Sequence, residues 1–165
     1  MKQKKFLAAL LTIVATIFLV ACGAGKTATK TADFQSITQN QRDFRNHFEY
    51  QGDKVIKMKT TATILYSAYG IDSKEAAQSL MKSQGAEEWD NLKGVDHKVD
   101  YKSDRLVETT SIDLEKVDFK KLGELMPIET ADGKQAQYIS YKLTKEQQKE
   151  LGMKEVKDGK FEELK

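Results

Sequence analysis

Apolar and polar positions follow three rhythms along this chain of 165 residues. From Phe6 to Val20 the sequence is uncharged and predominantly apolar. From Arg42 to Tyr66 apolar side chains recur with period two, the mark of strands buried on one face. Phe44, Phe48 and Tyr50 share one face, against Asp43, Arg45, His47 and Glu49 on the other. Gly52-Asp53 supplies a turn, and Ile56, Met58, Ala62, Ile64 and Tyr66 face inward from the return strand, with Val55, Lys57, Lys59, Thr61 and Thr63 outward. A segment near Phe34 to Thr38 is expected to pair at the edge. From Asp72 to Gln84 the period lengthens to that of a helix: Asp72 and Glu75 read as a capping box, and Ala76, Ala77, Leu80 and Met81 as the buried stripe.

The same alternation of rhythms continues to the C-terminus. A helical turn carries Trp89 and Leu92. Val95, His97, Val99 and Tyr101 then alternate with Asp96, Lys98, Asp100 and Lys102, and Ser103-Asp104 turns the chain into a strand over Arg105 to Leu114. Asp118 to Met126 reads as a helix with Leu122, Leu125 and Met126 inward, stopped by Pro127. Ala136 to Lys142 reads as a short strand, and Thr144 with Gln147 as the capping box of a helix to Leu151, ended by Gly152. Met153–Lys157 and Lys160–Leu164 flank Asp158-Gly159 as a terminal hairpin or strand. Strands come mostly in hairpin pairs, so the expected class is α+β: an antiparallel β-sheet built from hairpins, with two to three helices packed on one face.

The apolar run at the start carries the most specific chemistry. Lys2, Lys4 and Lys5 precede it, and Leu19-Val20-Ala21-Cys22 closes it, the pattern of a secretory signal. Its length of about 15 residues is short of the ~20 that span a bilayer. Leu-Val-Ala-Cys resembles a bacterial lipobox. That resemblance implies cleavage between Ala21 and Cys22 and a diacylglyceryl group on Cys22, with two or more acyl chains giving stable anchoring. Residues 1–21 are then a lipoprotein signal peptide, 22–31 a lipidated N-terminus and flexible tether, and 32–165 a single α+β domain. The tempting Gly23-Ala24-Gly25-Lys26-Thr27 is not a phosphate-binding loop, because Val20 stands where that motif requires its first glycine.

Removing the leader also removes three lysines, so 24 basic residues face 25 acidic ones and the mature charge is about −1. This balance argues against nucleic acid as a partner. Cys22 is the one cysteine, which leaves no disulfide framework.

Three stretches make a family resemblance specific: GIDSKEAAQSLM, KGVDHKVDYKSDRLVETTSIDLEKVDFKKL and KLTKEQQKELGMKEVK. They resemble the YehR-like bacterial lipoproteins over about Phe34 to Val156, lipobox included. The resemblance implies a small α+β lipoprotein domain and transfers no catalytic residue. Glu87-Glu88-Trp89-Asp90 departs from the family pattern by its acidity.

Motifs for catalysis and metal binding are absent: HExxH, CxxC and G-x-S-x-G do not occur. His97, between Val95 and Val99, reads as a satisfied, half-buried histidine, and His47 falls on the polar face of its strand. Asp100, Asp104 and Glu108 alternate with Lys98, Lys102 and Arg105, which reads as cross-strand ion pairs on a wet face rather than a calcium site. Lys54, Lys57, Lys59, Lys98 and Lys102 are either a basic stripe for anionic polymers or a solvated sheet face. Tyr66, Tyr69, Trp89 and Tyr101 complete the core or line a ligand groove. The expectation is a non-enzymatic lipoprotein without cofactor or metal, lipid-anchored to the cell membrane through Cys22 on the extracytoplasmic face. It would act as a binding or adaptor domain for a wall component, small ligand or protein partner. A structural, envelope-maintaining lipoprotein without a discrete ligand is the alternative.

Overall fold

The structure, a computed structural model, describes residues 28–126 and 138–164. Cys22, the lipobox, the GAGKT stretch and the loop at Asp132-Gly133 lie outside them. Strands β1 (Thr29–Thr38), β2 (Arg42–Gln51) and β3 (Lys54–Leu65) form a meander, followed by a 3₁₀ turn (Tyr66–Tyr69), helix α1 (Lys74–Ser83) and a second 3₁₀ turn (Ala86–Asn91). Then come β4 (Val95–Tyr101), β5 (Arg105–Asp113), α2 (Phe119–Leu125), β6 (Ile139–Ser140), α3 (Tyr141–Glu150) and β7 (Lys154–Val156). The seven strands make one antiparallel sheet in the order β4-β5-β3-β2-β1-β7, with β6 pairing with the start of β3. The fold is α+β, as the alternating rhythms predict.

Period two places Phe34, Phe44, Phe48, Met58, Ala62, Ile64, Leu106 and Ile112 on one face, all buried. Ala77 and Met81 of α1 and Leu122 of α2 join them in one core. The sheet's second face is polar and carries none of the described helices.

Several expectations need correction. Glu49 faces Lys57 while Tyr50 faces Val55, so Ile56 is the extra residue of a bulge. The bulge turns Val55, expected outward, into the core at 0% exposure. Strand β1 begins at Thr29, inside the stretch read as tether, because Thr29–Thr31 pair with Gln51–Glu49. Nor is β1 an edge throughout, since β7 pairs with Asp33–Gln35. No terminal hairpin forms: past β7, residues 157–164 run as a tail without strand structure.

Both capping boxes shift as well. The N-cap of α1 is Ser73, whose Oγ accepts from Ala76 N at 3.1 Å, not Asp72. The N-cap of α3 is Ser140, so Thr144 lies inside the helix, fully buried, with Oγ1 donating to Ser140 O at 2.8 Å. Helix α3 starts early because Asp53, in the β2–β3 turn, receives Lys142 N (2.8 Å) and the Ser140 hydroxyl (2.8 Å). Of the strand expected over Ala136–Lys142, Ile139–Ser140 pair as a strand and Tyr141 and Lys142 belong to α3, while residues 136 and 137 lie outside the described residues.

Candidate functional site

An open groove of about 400 Å³ runs between α1, the second 3₁₀ turn and β4. Helix α1 contributes Gln78, Ser79, Met81 and Lys82; β4 contributes His97, Val99 and Tyr101. The helix presents this face because Ala77 and Met81 dock into the core, leaving Gln78, Ser79 and Lys82 beside them. Gly85, at φ +78°, reverses the chain, and the buried Trp89 plants the 3₁₀ turn so that Asp90 projects toward β4.

His97 is the polar centre of this wall. Its Nε2 lies 2.9 Å from Glu108 Oε1, and its Nδ1 lies 3.1 Å from Asp90 Oδ1. The side chains of His97 and Glu108 are 4% and 8% exposed, while Asp90 is largely open. Both partners are acceptors, so the arrangement favours the imidazolium, with both ring nitrogens donating. The hydrogen bond to Glu108, then that to Asp90, raises the His97 pKa above its ordinary value despite burial. Burial likewise raises the Tyr101 phenol.

The expected satisfied, half-buried histidine is therefore present, and two carboxylates satisfy it. His97 is level with Thr110, Thr60 and Asn46 across the sheet, on the core side. His47, the next residue to Asn46, lies on the opposite face and meets Asp33 at 2.8 Å. The two histidines do not converge. Among the described residues, no group of three His, Cys, Asp or Glu is placed to hold a metal ion.

The carboxylates read together separate. Asp100 pairs with Lys102 and Asp104 with Arg105, along the chain rather than across strands. Glu108 is not on the wet face at all: it shares the inward side of β5 with Leu106, Thr110 and Ile112. The sequence signal was available, because Glu108 is in step with Leu106 and Ile112. Asp90 carried no comparable signal, since the 3₁₀ turn must first be folded.

Three of the five lysines of the stripe are neutralised, while Lys59 and Lys98 have no ion pair among the described residues. Lys54 pairs with Glu115, Lys57 with Glu49, and Lys102 with Asp100. Of the aromatics, Tyr66 and Trp89 are core at 4% and 2% exposure, and Tyr69 sits under Arg42. Tyr101 alone of the four lines the groove.

Comparison with known proteins agrees with this architecture. Residues 29–154 match the family described as "Protein of unknown function (DUF1307)". The "Uncharacterized lipoprotein Lin0239" of Listeria innocua is 34% identical over 93% of this chain and 96% of its own length. The "Uncharacterized lipoprotein YehR" of Escherichia coli is 30% identical over 84% of this chain and 88% of its own. The NMR structure of the E. coli YehR protein superposes with a TM-score of 0.65 at 28% identity, over 84% of this chain and 96% of that one. An NMR structure from Streptococcus pneumoniae, 15% identical with a TM-score of 0.51, shares the fold. The chain belongs to the DUF1307 family and is, with these relatives, a membrane-anchored lipoprotein.

Proposed function

We propose that this lipoprotein is a non-enzymatic binding domain of the cell envelope, anchored through a diacylglyceryl group on Cys22 at the extracytoplasmic face. The observation that carries the reading is the groove: apolar Met81, Ala86, Val99 and Tyr101 with a few polar groups at Gln78, Ser79, Asp90 and His97. Binding sites have this composition, an apolar concavity with sparse, placed polar atoms.

The position of the groove supports the same reading. Residues 23–28 reach at most about 20 Å. Strand β1 then runs for ten residues, about 30 Å. Tyr101 is level with Leu106, Ile64, Arg42 and Thr38, at the far end of the sheet from Thr29. The groove thus reaches the end of the sheet opposite the one that the tether joins, and its proposed occupant is a small ligand, wall component or protein segment. Catalysis by His97 is disfavoured because both its nitrogens are held by carboxylates, whereas a general base needs one free.

Photocrosslinking in intact cells tests the proposal, with benzoylphenylalanine at Ser79 in the groove or at Lys59 on the bare face. A Ser79 adduct that disappears with Val99→Arg is expected, and none from Lys59. Equal adducts from both positions, or none from either, overturn the groove. In the same fractions Cys22→Ser should leave the membrane and lose the lipid mass; retention of the lipid would overturn the anchor.

A further inference from the structure

We propose that the turn Lys157–Lys160 and the adjoining edge strand form a second site, which takes a phosphate-bearing polyanion. A cavity of about 340 Å³ lies between the end of β1, Gly152, β7 and the C-terminal tail, and Lys154, Lys157 and Lys160 rim it. All three are exposed, and among the described residues none is ion-paired. Two neighbouring acids are engaged elsewhere: Glu155 with Lys145 at 2.9 Å and Glu163 with Arg45 at 2.9 Å. Among the described residues, Glu162 on the rim and Asp158 within the turn have no ion pair, which leaves three lysines against two acids.

The turn places its two lysines side by side. Asp158 and Gly159 are consecutive left-handed residues, at φ +56° and +66°, and Lys160 N donates to Lys157 O at 3.2 Å. The Cα atoms at the ends of such a turn stand within about 7 Å, which puts both ammoniums within reach of one anion. An ammonium binds phosphate as a point charge, and neighbouring ammoniums repel until an anion separates them.

Buried side chains hold this turn at both ends. Before it, β7 is paired to β1 through Gln35–Asp33. After it, Gln35 Nε2 donates to Glu162 O at 2.7 Å and Gln35 Oε1 accepts from Glu162 N at 2.9 Å. Arg45 donates to the same carbonyl at 2.9 Å and covers the Phe161 ring at 4.8 Å. Asp43, 2% exposed, accepts from Gln35 at 2.9 Å and from Arg45 at 2.7 Å, fixing both. A turn pinned in this way has little conformational freedom left to lose on binding an anion. The site lies across the sheet from the groove and does not depend on it.

The test uses the full chain, ¹⁵N-labelled in nonionic detergent, titrated with inorganic polyphosphate and, in a second arm, with phosphatidylglycerol nanodiscs. Salt-sensitive amide shifts at Gly152, Lys154 and Lys157–Lys160 are expected. Affinity should fall at least tenfold in Lys157→Glu/Lys160→Glu, less in the milder Lys157→Gln/Lys160→Gln, and not in Lys59→Glu/Lys98→Glu. Shifts with polyphosphate identify a polymer source and shifts with nanodiscs alone a lipid source; either supports the phosphate site. No shift in either arm at millimolar phosphate, or equal loss in the Lys59/Lys98 variant, overturns it.

Discussion

Helices α1 and α3 have the same length, the same Ser N-cap and the same sheet face to pack on, yet they dock by opposite means. Helix α1 buries Ala77 and Met81 and leaves an open groove at its flank. Helix α3 buries Thr144, Gln147 and Gln148, and Gln148 Oε1 accepts from Asn46 Nδ2 at 2.6 Å in the sheet. Asn46 is held in turn by the Thr60 hydroxyl at 2.9 Å and lies 3.3 Å from Met153 Sδ. Amide contacts are directional and permit one placement of α3; the apolar contacts of α1 are non-directional and tolerate small shifts. The helix beside the groove is the one free to adjust.

The largest expected effect breaks this difference at the amide seam. Asn46→Ala orphans Gln148 Oε1 and the Thr60 hydroxyl in a buried setting, a loss of about 3 kcal/mol at 1–3 kcal/mol for each unpaired group. Replacing both partners, as in Asn46→Leu/Gln148→Leu, should restore the Gln148 share of it, because the apolar pair removes that carbonyl and leaves only the half-buried Thr60 hydroxyl unpaired. Urea midpoints of the singles and the double form the cycle that checks this. A double variant no better than the worse single would mean that the seam works by packing alone.

A smaller effect sharpens the α1 side. The folded-state pKa of His97 is raised, chiefly by Glu108, so the protonated ring stabilises the fold. That contribution is fully present below about pH 6.5, the ordinary histidine value, and is lost as pH rises through the raised folded value. Wild-type stability should therefore fall from pH 6 toward pH 9 more than that of His97→Gln, which does not titrate. Because the open Asp90 is the weaker of the two holds, protection factors across Ala86–Asn91, corrected for intrinsic exchange, should fall over the same window in the wild type and not in His97→Gln. Parallel pH profiles for both proteins would remove the imidazolium from the account.

How much of this contrast the sequence carried follows from its physics. The strands were legible because one face is buried and the other wet, which writes period two directly. Helix α1 was legible through Ala77 and Met81, whereas α3 buries polar residues and has no apolar stripe to read. Its true start depends on Asp53, remote in sequence, and so Thr144 passed for a cap. The inversion at Val55 comes from a bulge, which changes facing without changing composition. The groove needs α1, a 3₁₀ turn and β4 assembled, and of its residues only Tyr101 and His97 were weighed for a site role from the sequence.

The smallest effects concern the two caps. Ser73 Oγ serves one amide, Ala76 N, so Ser73→Ala should cost about 1 kcal/mol and Asp72→Ala almost nothing. Ser140 Oγ accepts from Leu143 N at 3.3 Å and also donates to Asp53 at 2.8 Å, joining α3 to the β2–β3 turn. Ser140→Ala should therefore cost about 2 kcal/mol, the cap together with a hydrogen bond to a charged group. Asp53→Ala should then make Ser140→Ala no worse than Ser73→Ala, since only the ordinary cap remains to be lost. Equal costs for the two serines in the wild-type background would mean that both helices are held alike at their starts, and that the difference between them begins only at the buried amides.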